Sequence, residues 1–255
     1  MMSAGASEPY VCIDCFPIGA TAQLRAHERA CQERPDNDRS GVLTRLALDS
    51  QRYWQTGREL RIRFLDGSRA LHQAVLTVAS EWTLYANLSL VDVTDEEQSP
   101  AELRIAFAKY PASVSWSRIG TDALLITASE PTMHLGAAAA GTSTRQACGA
   151  VLHEFGHALG FVHEHQSPAS AIPWNRAALK SFYGGAPNFW TDEQIEHNVI
   201  GRYSSSASQY TAFDPHSIML YPIPKELTDG VFESRANYAL SATDRAFVAQ
   251  VYPRS

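Results

Sequence analysis

His153 and His157 stand four residues apart in the run HEFGHALGFVHE, residues 153–164. On a helix that spacing sends both imidazoles out from one face, one turn apart. Two neutral ring nitrogens so placed reach a single zinc ion at about 2.0–2.1 Å each. Glu154 lies beside the first histidine without being a ligand, so its carboxylate can hold and deprotonate a water that the metal activates. Gly160 follows the second histidine by three residues and can take the positive φ that ends a helix and turns the chain back. The turn brings His163 round as a third ligand. Three imidazoles with a fourth position open are the donor set of a catalytic zinc, whereas a structural zinc is closed. Leu152, Phe155, Ala158 and Leu159 form an apolar stripe, so this helix packs by one face whatever its histidines bind.

The elements that must hold this run read as alternating strands and helices. The helix carrying the histidines is expected at about 143–159, following Gly141. Upstream, Glu59–Leu65 alternates as a strand and stops at Asp66-Gly67. Leu71, Val75, Val78, Trp82 and Tyr85 repeat at helical spacing, which predicts a long helix over 69–87 packed on a sheet. Strands are expected at 88–93 and 102–108, with another at 121–127 and a short one at 132–136 suited to the sheet edge. An edge strand along a cleft can pair with an extended peptide through main-chain hydrogen bonds. Pro168, Pro173, Gly184, Gly185 and Pro187 break up residues 165–190 into loops. Beyond them a helix from Thr191 to Arg202 and a last helix at 242–251 are expected, the latter with Ser241 as N-cap and Asp244 completing a capping box.

The extended motif HExxHxxGxxH is the metzincin signature, and Glu164 directly after the third histidine resembles the astacin branch of zinc peptidases. Ser217-Ile218-Met219-Leu220-Tyr221 is similar to that family's Met-turn, with Leu220 where a histidine is usual. Trp116–Gly120 and Pro131–Gly136 also resemble family segments, so the likeness covers about residues 46–253. The resemblance implies an α+β metzincin fold. Its upper lobe is a twisted, mostly parallel sheet with an antiparallel edge strand plus two long helices; a loop-rich lower lobe with a C-terminal helix faces it across the cleft. It further implies zinc as cofactor, with Met219 as the apolar floor beneath the histidines and Tyr221 as the tyrosine that leaves the zinc to bind the tetrahedral oxyanion. Glu164 would bond, through water, to the α-amino group freed when a pro-segment is cut, near residues 44–46. The expected activity is hydrolysis of internal peptide bonds in a protein or peptide substrate; the alternative is a catalytically silent peptide-binding or zinc-finger adaptor protein.

The other chemistry-bearing cluster is N-terminal: Cys12, Cys15, His27 and Cys31. With Tyr10, Ile18 and Leu24, residues 10–31 resemble a small ββα zinc finger, in which Ile18 and Leu24 would form the minute core around a second, structural zinc. Two other readings stand beside it: a latency segment that places Asp14 or Cys15 on the open zinc position, or an unstructured tail. Residues 32–41 read as a polar linker, dividing an N-terminal segment, 1–41, from a catalytic domain, 42–255. Cys148, alone in the larger part, reads as a small buried residue.

Composition narrows the partners. With 45% hydrophobic and 19% charged residues the chain is globular. A net charge of −6 argues against a general affinity for nucleic acid. No apolar run approaches the roughly 18–20 residues that span a bilayer. The first residues, MMSAGASEPYVCIDC, lack the basic and apolar regions of a secretory signal, which with the few cysteines favours an intracellular or non-classically exported monomer.

Overall fold

The computed structural model describes residues 11–12, 20–38, 51–185, 189–202 and 211–254. Strand β1 is Val11–Cys12, β2 Glu59–Phe64, β3 Ser89–Asp92, β4 Leu103–Ala106, β5 Val114–Ser117 and β6 Met133–Leu135. They form one sheet in the order β1-β5-β6-β4-β2-β3, parallel throughout except where β5 meets β6. Leu60, Ile62 and Phe64 alternate inward along β2, the period-two pattern of a half-covered strand. All four residues of β4, the neighbouring strand on the inner side, are buried.

Helix α1 spans Ala20–Glu33, α2 Arg69–Thr83 and α3 Arg145–Ala158. Ser68 caps α2 by accepting from Leu71 N, and Thr144 caps α3 by accepting from Ala147 N. Helices α2 and α3 lie together on the sheet, tied where Trp82 Nε1 donates to Leu152 O at 2.9 Å. A second, smaller core gathers Ile172, Leu179, Tyr183, Ile195, Val199, Leu220, Ile223 and Leu227. Helix α6, Ala242–Val251, follows that lobe in sequence but buries Val248 and Val251 in the first core. Its capping box, Ser241 with Asp244, is formed. None of the helices among the described residues is long and apolar enough to cross a membrane.

Four expectations need correction. Residues 121–127 are not a strand: Gly120–Leu125 is a 3-10 helix. The short strand at 132–136 is β6 and lies inside the sheet, hydrogen-bonded on both sides; the antiparallel strand is β5, between β6 and β1. The stretch 165–190 contains a helix, α4, Arg176–Gly184, capped by Asn175. The helix from Thr191 is a single turn, α5, Asp192–Ile195, continued as a π turn over Glu196–Ile200.

The described residues of the N-terminal segment pack against the larger part of the chain. Strand β1 extends the large sheet by pairing with β5, Val11 opposite Val114 and Cys12 opposite Ser115. Helix α1 buries Ala26 and Ala30, and Glu33 pairs with Arg58 at 3.0 Å. Leu24, assigned above to a finger core, is 53% exposed. His27 and Cys31 do lie on one helical face, Cys31 Sγ 3.7 Å from His27 Nε2. Cys15, Asp14, Ile18 and the Cys12 side chain lie outside the described residues, as does the expected boundary at 41/42; among the described residues no second metal-ligand cluster joins His27 and Cys31. The expected linker is partly structured, with α1 running to Glu33 and Pro35–Asn37 forming a 3-10 turn.

Candidate metal centre

Helix α3 brings the three predicted ligands together. His157 Nε2 lies 3.1 Å and His163 Nε2 3.2 Å from His153 Nε2, and all three residues are buried. Two of the far nitrogens have partners: His153 Nδ1 donates to Ile218 O at 2.7 Å and His157 Nδ1 to Phe161 O at 2.9 Å. A neutral imidazole that donates through Nδ1 presents a bare lone pair at Nε2. Tetrahedral zinc at ordinary Zn–N lengths would separate its nitrogens by about 3.3–3.4 Å, close to what is seen. Lone pairs converging at this spacing repel unless a cation sits among them, so the donor set fits zinc. Burial, and then His153, push the His163 imidazole well below its ordinary pKa, which keeps it neutral and able to ligate.

His163 reaches the other two because the chain reverses at Gly160, whose φ is +98°. A side chain there would be strained by that φ and would also press on Tyr53 and the Arg52 carbonyl. The carbonyls left over at the end of α3 find partners far away in sequence. Trp54 Nε1 donates to Ala158 O at 2.8 Å and Tyr252 Oη to Leu159 O at 2.6 Å. Glu154 follows His153 on the helix and is fully buried.

The turn at Ser217–Tyr221 joins the two cores at the site, with Ile218 and Met219 in the first and Leu220 in the second. Met219 is buried against Gly156, the α3 residue just before His157. The turn is held by Asp244 of α6: Oδ1 accepts from Ser217 Oγ at 2.7 Å and Oδ2 from Ile218 N at 2.8 Å. Because Ile218 O is the acceptor for His153, Asp244 orients a candidate metal ligand at one remove. Tyr221 stands edge-on to His163, ring centroids 5.1 Å apart, and its hydroxyl lies 3.2 Å from His165 Nε2. Glu164 accepts from Asp214 N at 2.9 Å, while burial, then the nearby Asp244 and Asp214, push its carboxyl up to about 7. Cys148 is half-buried, less enclosed than expected, and donates to Thr142 O.

His165, Tyr183, Asp244, Trp54 and Tyr252 went unassigned to the site in the sequence. His165 offered a faint signal, a further histidine directly after HExxHxxGxxHE.

No family model matches the chain, and no curated protein matches it. Solved structures do. A structure of myroilysin is 36% identical, covering 80% of this chain and 97% of its own, with a TM-score of 0.72. A second structure of myroilysin, 33% identical, covers 98% of this chain and 94% of its own at a TM-score of 0.65. High choriolytic enzyme 1, a hatching-enzyme zinc-protease from the medaka fish Oryzias latipes, covers 80% of this chain and 96% of its own. Its 13% identity and TM-score of 0.53 make that a likeness of fold.

Proposed function

The chain belongs to the astacin-like metzincin proteases, the family it shares with myroilysin, and from that premise we propose that it is a zinc-dependent endopeptidase. The observation that carries this reading is the convergence of His153, His157 and His163, with two of the three far nitrogens donating to backbone carbonyls. Zinc held there supplies a Lewis acid that polarises the scissile carbonyl and makes a water acidic near neutral pH. Glu154 takes the water's proton as its oxygen adds to the carbonyl carbon. The same carboxyl returns the proton to the amide nitrogen as the C–N bond breaks, leaving a carboxylate and an amine. Tyr221 donates its phenolic O–H to the developing oxyanion. Met219, behind Gly156, keeps the floor of the site dry and fixed.

The outer edge of β5 is where an extended substrate would pair, main chain to main chain. Strand β1 occupies that edge and runs parallel to β5. This favours the reading of the N-terminal segment as a latency element, removed or displaced before about residue 45, over a zinc finger. Glu164 fits the same reading: a buried carboxyl crowded by Asp214 and Asp244 gains from an incoming ammonium, such as a new chain terminus.

Casein zymography with and without a chelator tests the activity. A clearing band that a chelator abolishes and zinc restores is expected; chelator-insensitive clearing overturns the proposal. Glu154→Gln should keep its zinc and lose roughly 10²–10⁴-fold in kcat, checked by metal analysis beside peptide hydrolysis. A zinc-loaded variant at the wild-type rate would remove Glu154 from the mechanism. N-terminal sequencing of active enzyme should begin near residue 45; active protein that still starts at Met1 counts against the latency reading.

A further inference from the structure

Four carbonyls of the Ser217–Tyr221 turn accept from other parts of the chain. Ile218 O takes the His153 Nδ1 hydrogen at 2.7 Å, and Met219 O takes that of Glu164 N at 3.0 Å. The first and last carbonyls are held by side chains of one passing segment, residues 234–238, which the proposed reaction does not use. Asn237 Nδ2 donates to Ser217 O at 2.8 Å and to Pro215 O at 3.1 Å. Ser234 Oγ donates to Tyr221 O at 2.9 Å and accepts from Ile223 N at 3.0 Å. Main-chain bonds of 3.1 Å in each direction between Ile223 and Ser234 set the two stretches antiparallel.

The segment is itself seated on α3. A Cβ on Gly149 would lie 2.8 Å from the Tyr238 ring and 3.1 Å from Asn237 O, so glycine lets this backbone rest directly on the helix. Arg145, one turn before Gly149, stands over the same ring at 5.5 Å. Gly149 and His153 are four residues apart and share a helical face. The contacts therefore close a circuit. It runs from His153 to Ile218 O, back one peptide to Ser217 O, across to Asn237, and down to the helix one turn before His153.

We infer that residues 234–238 are a splint for the turn, with Asn237 a positioning residue for His153 and Ser234 one for Tyr221. The inference rests on the roles given to His153 and Tyr221 above. A trans peptide is planar, with its C=O and N–H on opposite sides. The Ser217–Ile218 peptide is gripped on both, by Asn237 at the oxygen and by Asp244 Oδ2 at the nitrogen, 2.8 Å each. With that plane fixed, the next carbonyl, Ile218 O, is held facing His153. At the other end of the turn, Ser234 fixes the backbone from which the Tyr221 phenol projects.

The two ends of the splint predict different losses, measured on active enzyme. Asn237→Ala should lower zinc affinity about ten-fold, as for other groups that orient a ligand from behind, read by competition with a chelator. Asn237→Gln, whose longer amide still reaches a carbonyl, should recover part of that affinity. Ser234→Ala should bind zinc as the wild type does and lower kcat about three- to ten-fold, the size of one ordinary hydrogen bond, with KM unchanged. The substrate is a quenched-fluorescent peptide built on a casein bond that the wild type cuts. A phosphinic peptide, a tetrahedral mimic, should weaken by a similar factor. Both Ser234→Ala losses should vanish when Tyr221 is already Phe. Wild-type zinc affinity in Asn237→Ala, or Ser234→Ala losses of equal size in both backgrounds, would overturn the splint and leave the roles of His153 and Tyr221 standing. The two arms are read separately, so a variant that folds poorly leaves the other to decide. If Tyr221→Phe alone changes neither kcat nor phosphinate affinity, the reading of Tyr221 falls and the Ser234 end with it.

Discussion

Gly156 carries no ligand, yet it decides how closely the Ser217–Tyr221 turn can approach the histidines. A Cβ added there would overlap Met219 Sδ and come within 3.1 Å of the Trp82 ring. Both neighbours are almost wholly buried, so neither has room to retreat. Alanine in place of glycine favours a helix by about 1 kcal/mol, but overpacking a filled core costs about 1–3 kcal/mol. We expect overpacking to win here, because the contact is sub-van der Waals and pushes on the floor of the site. Gly156→Ala should melt several degrees below wild type, at roughly 2–4 °C per kcal/mol for a chain of this size. Thermal melts with metal analysis check this, and an unchanged midpoint with full zinc would show that Met219 can yield. At this scale the sequence was most informative where the chemistry is local. His153, His157 and Gly160 follow from helical spacing and one turn. His165 and Tyr221 meet across 56 residues of chain, and no local pattern encodes that meeting.

The turn at Ser217–Tyr221 and helix α6 show how one element serves another. The capping box of α6 was legible because Ser241 and Asp244 stand three residues apart at a helix start. That Asp244 also grips Ser217 and Ile218 was not, since those contacts span 27 and 26 residues. Asp244→Ala removes the acceptor for Ser217 Oγ, Ile218 N and Ser241 N together. It should cost about 2–4 kcal/mol and lower zinc affinity roughly ten-fold through the loosened Ile218–His153 bond. Ser241→Ala, which loosens the cap and the bond to Asp214 but leaves the Asp244 grip on the turn, should leave zinc affinity near wild type; titration against a competing chelator separates the two. Strand β5 was overlooked for a different reason: four residues are too few to show an alternation above chance. Glu102 gives the sheet its pH dependence. Burial alone would raise its carboxyl, but the hydrogen bonds and charge of Arg61 outweigh this and hold it below the ordinary value. A carboxyl lowered in the native state stabilises fully above its unfolded pKa, about 4.3, and loses that contribution as pH falls through the native value. Glu102→Gln should therefore be less stable at pH 6, and its melting midpoint should fall less steeply than the wild type's between pH 5 and pH 3.

Over the whole molecule, residues far apart in sequence within the first core close the end of α3. Trp54 and Tyr252 bind the last carbonyls of the helix, and Tyr252 Oη also accepts from Trp54 N at 3.1 Å. Alongside, Arg52 pairs with the buried Asp122 at 2.7 Å. The N-terminal segment docks on this same backbone through Asn37, which is wholly buried. Its Nδ2 donates to Ala30 O and Tyr53 O, each at 2.8 Å, and its Oδ1 accepts from Tyr53 N at 3.1 Å. One side chain thus clamps the helix of the segment to the first strand-like stretch of the lobe. Alanine at 37 strands two buried backbone groups, Tyr53 N and Tyr53 O, since Ala30 O keeps its bond from Arg34 N, at a cost of about 2–4 kcal/mol. If the segment is removed before about residue 45, that cost exists only in the uncut protein. Asn37→Ala should then be cut faster near residue 45 under limiting trypsin and melt earlier while intact. The product should match processed wild type in melting point and rate, because the altered residue is no longer part of it. A time course of proteolysis, with melts before and after, decides the matter. An intact variant as resistant and as stable as wild type would mean that the clamp does not hold the segment in place.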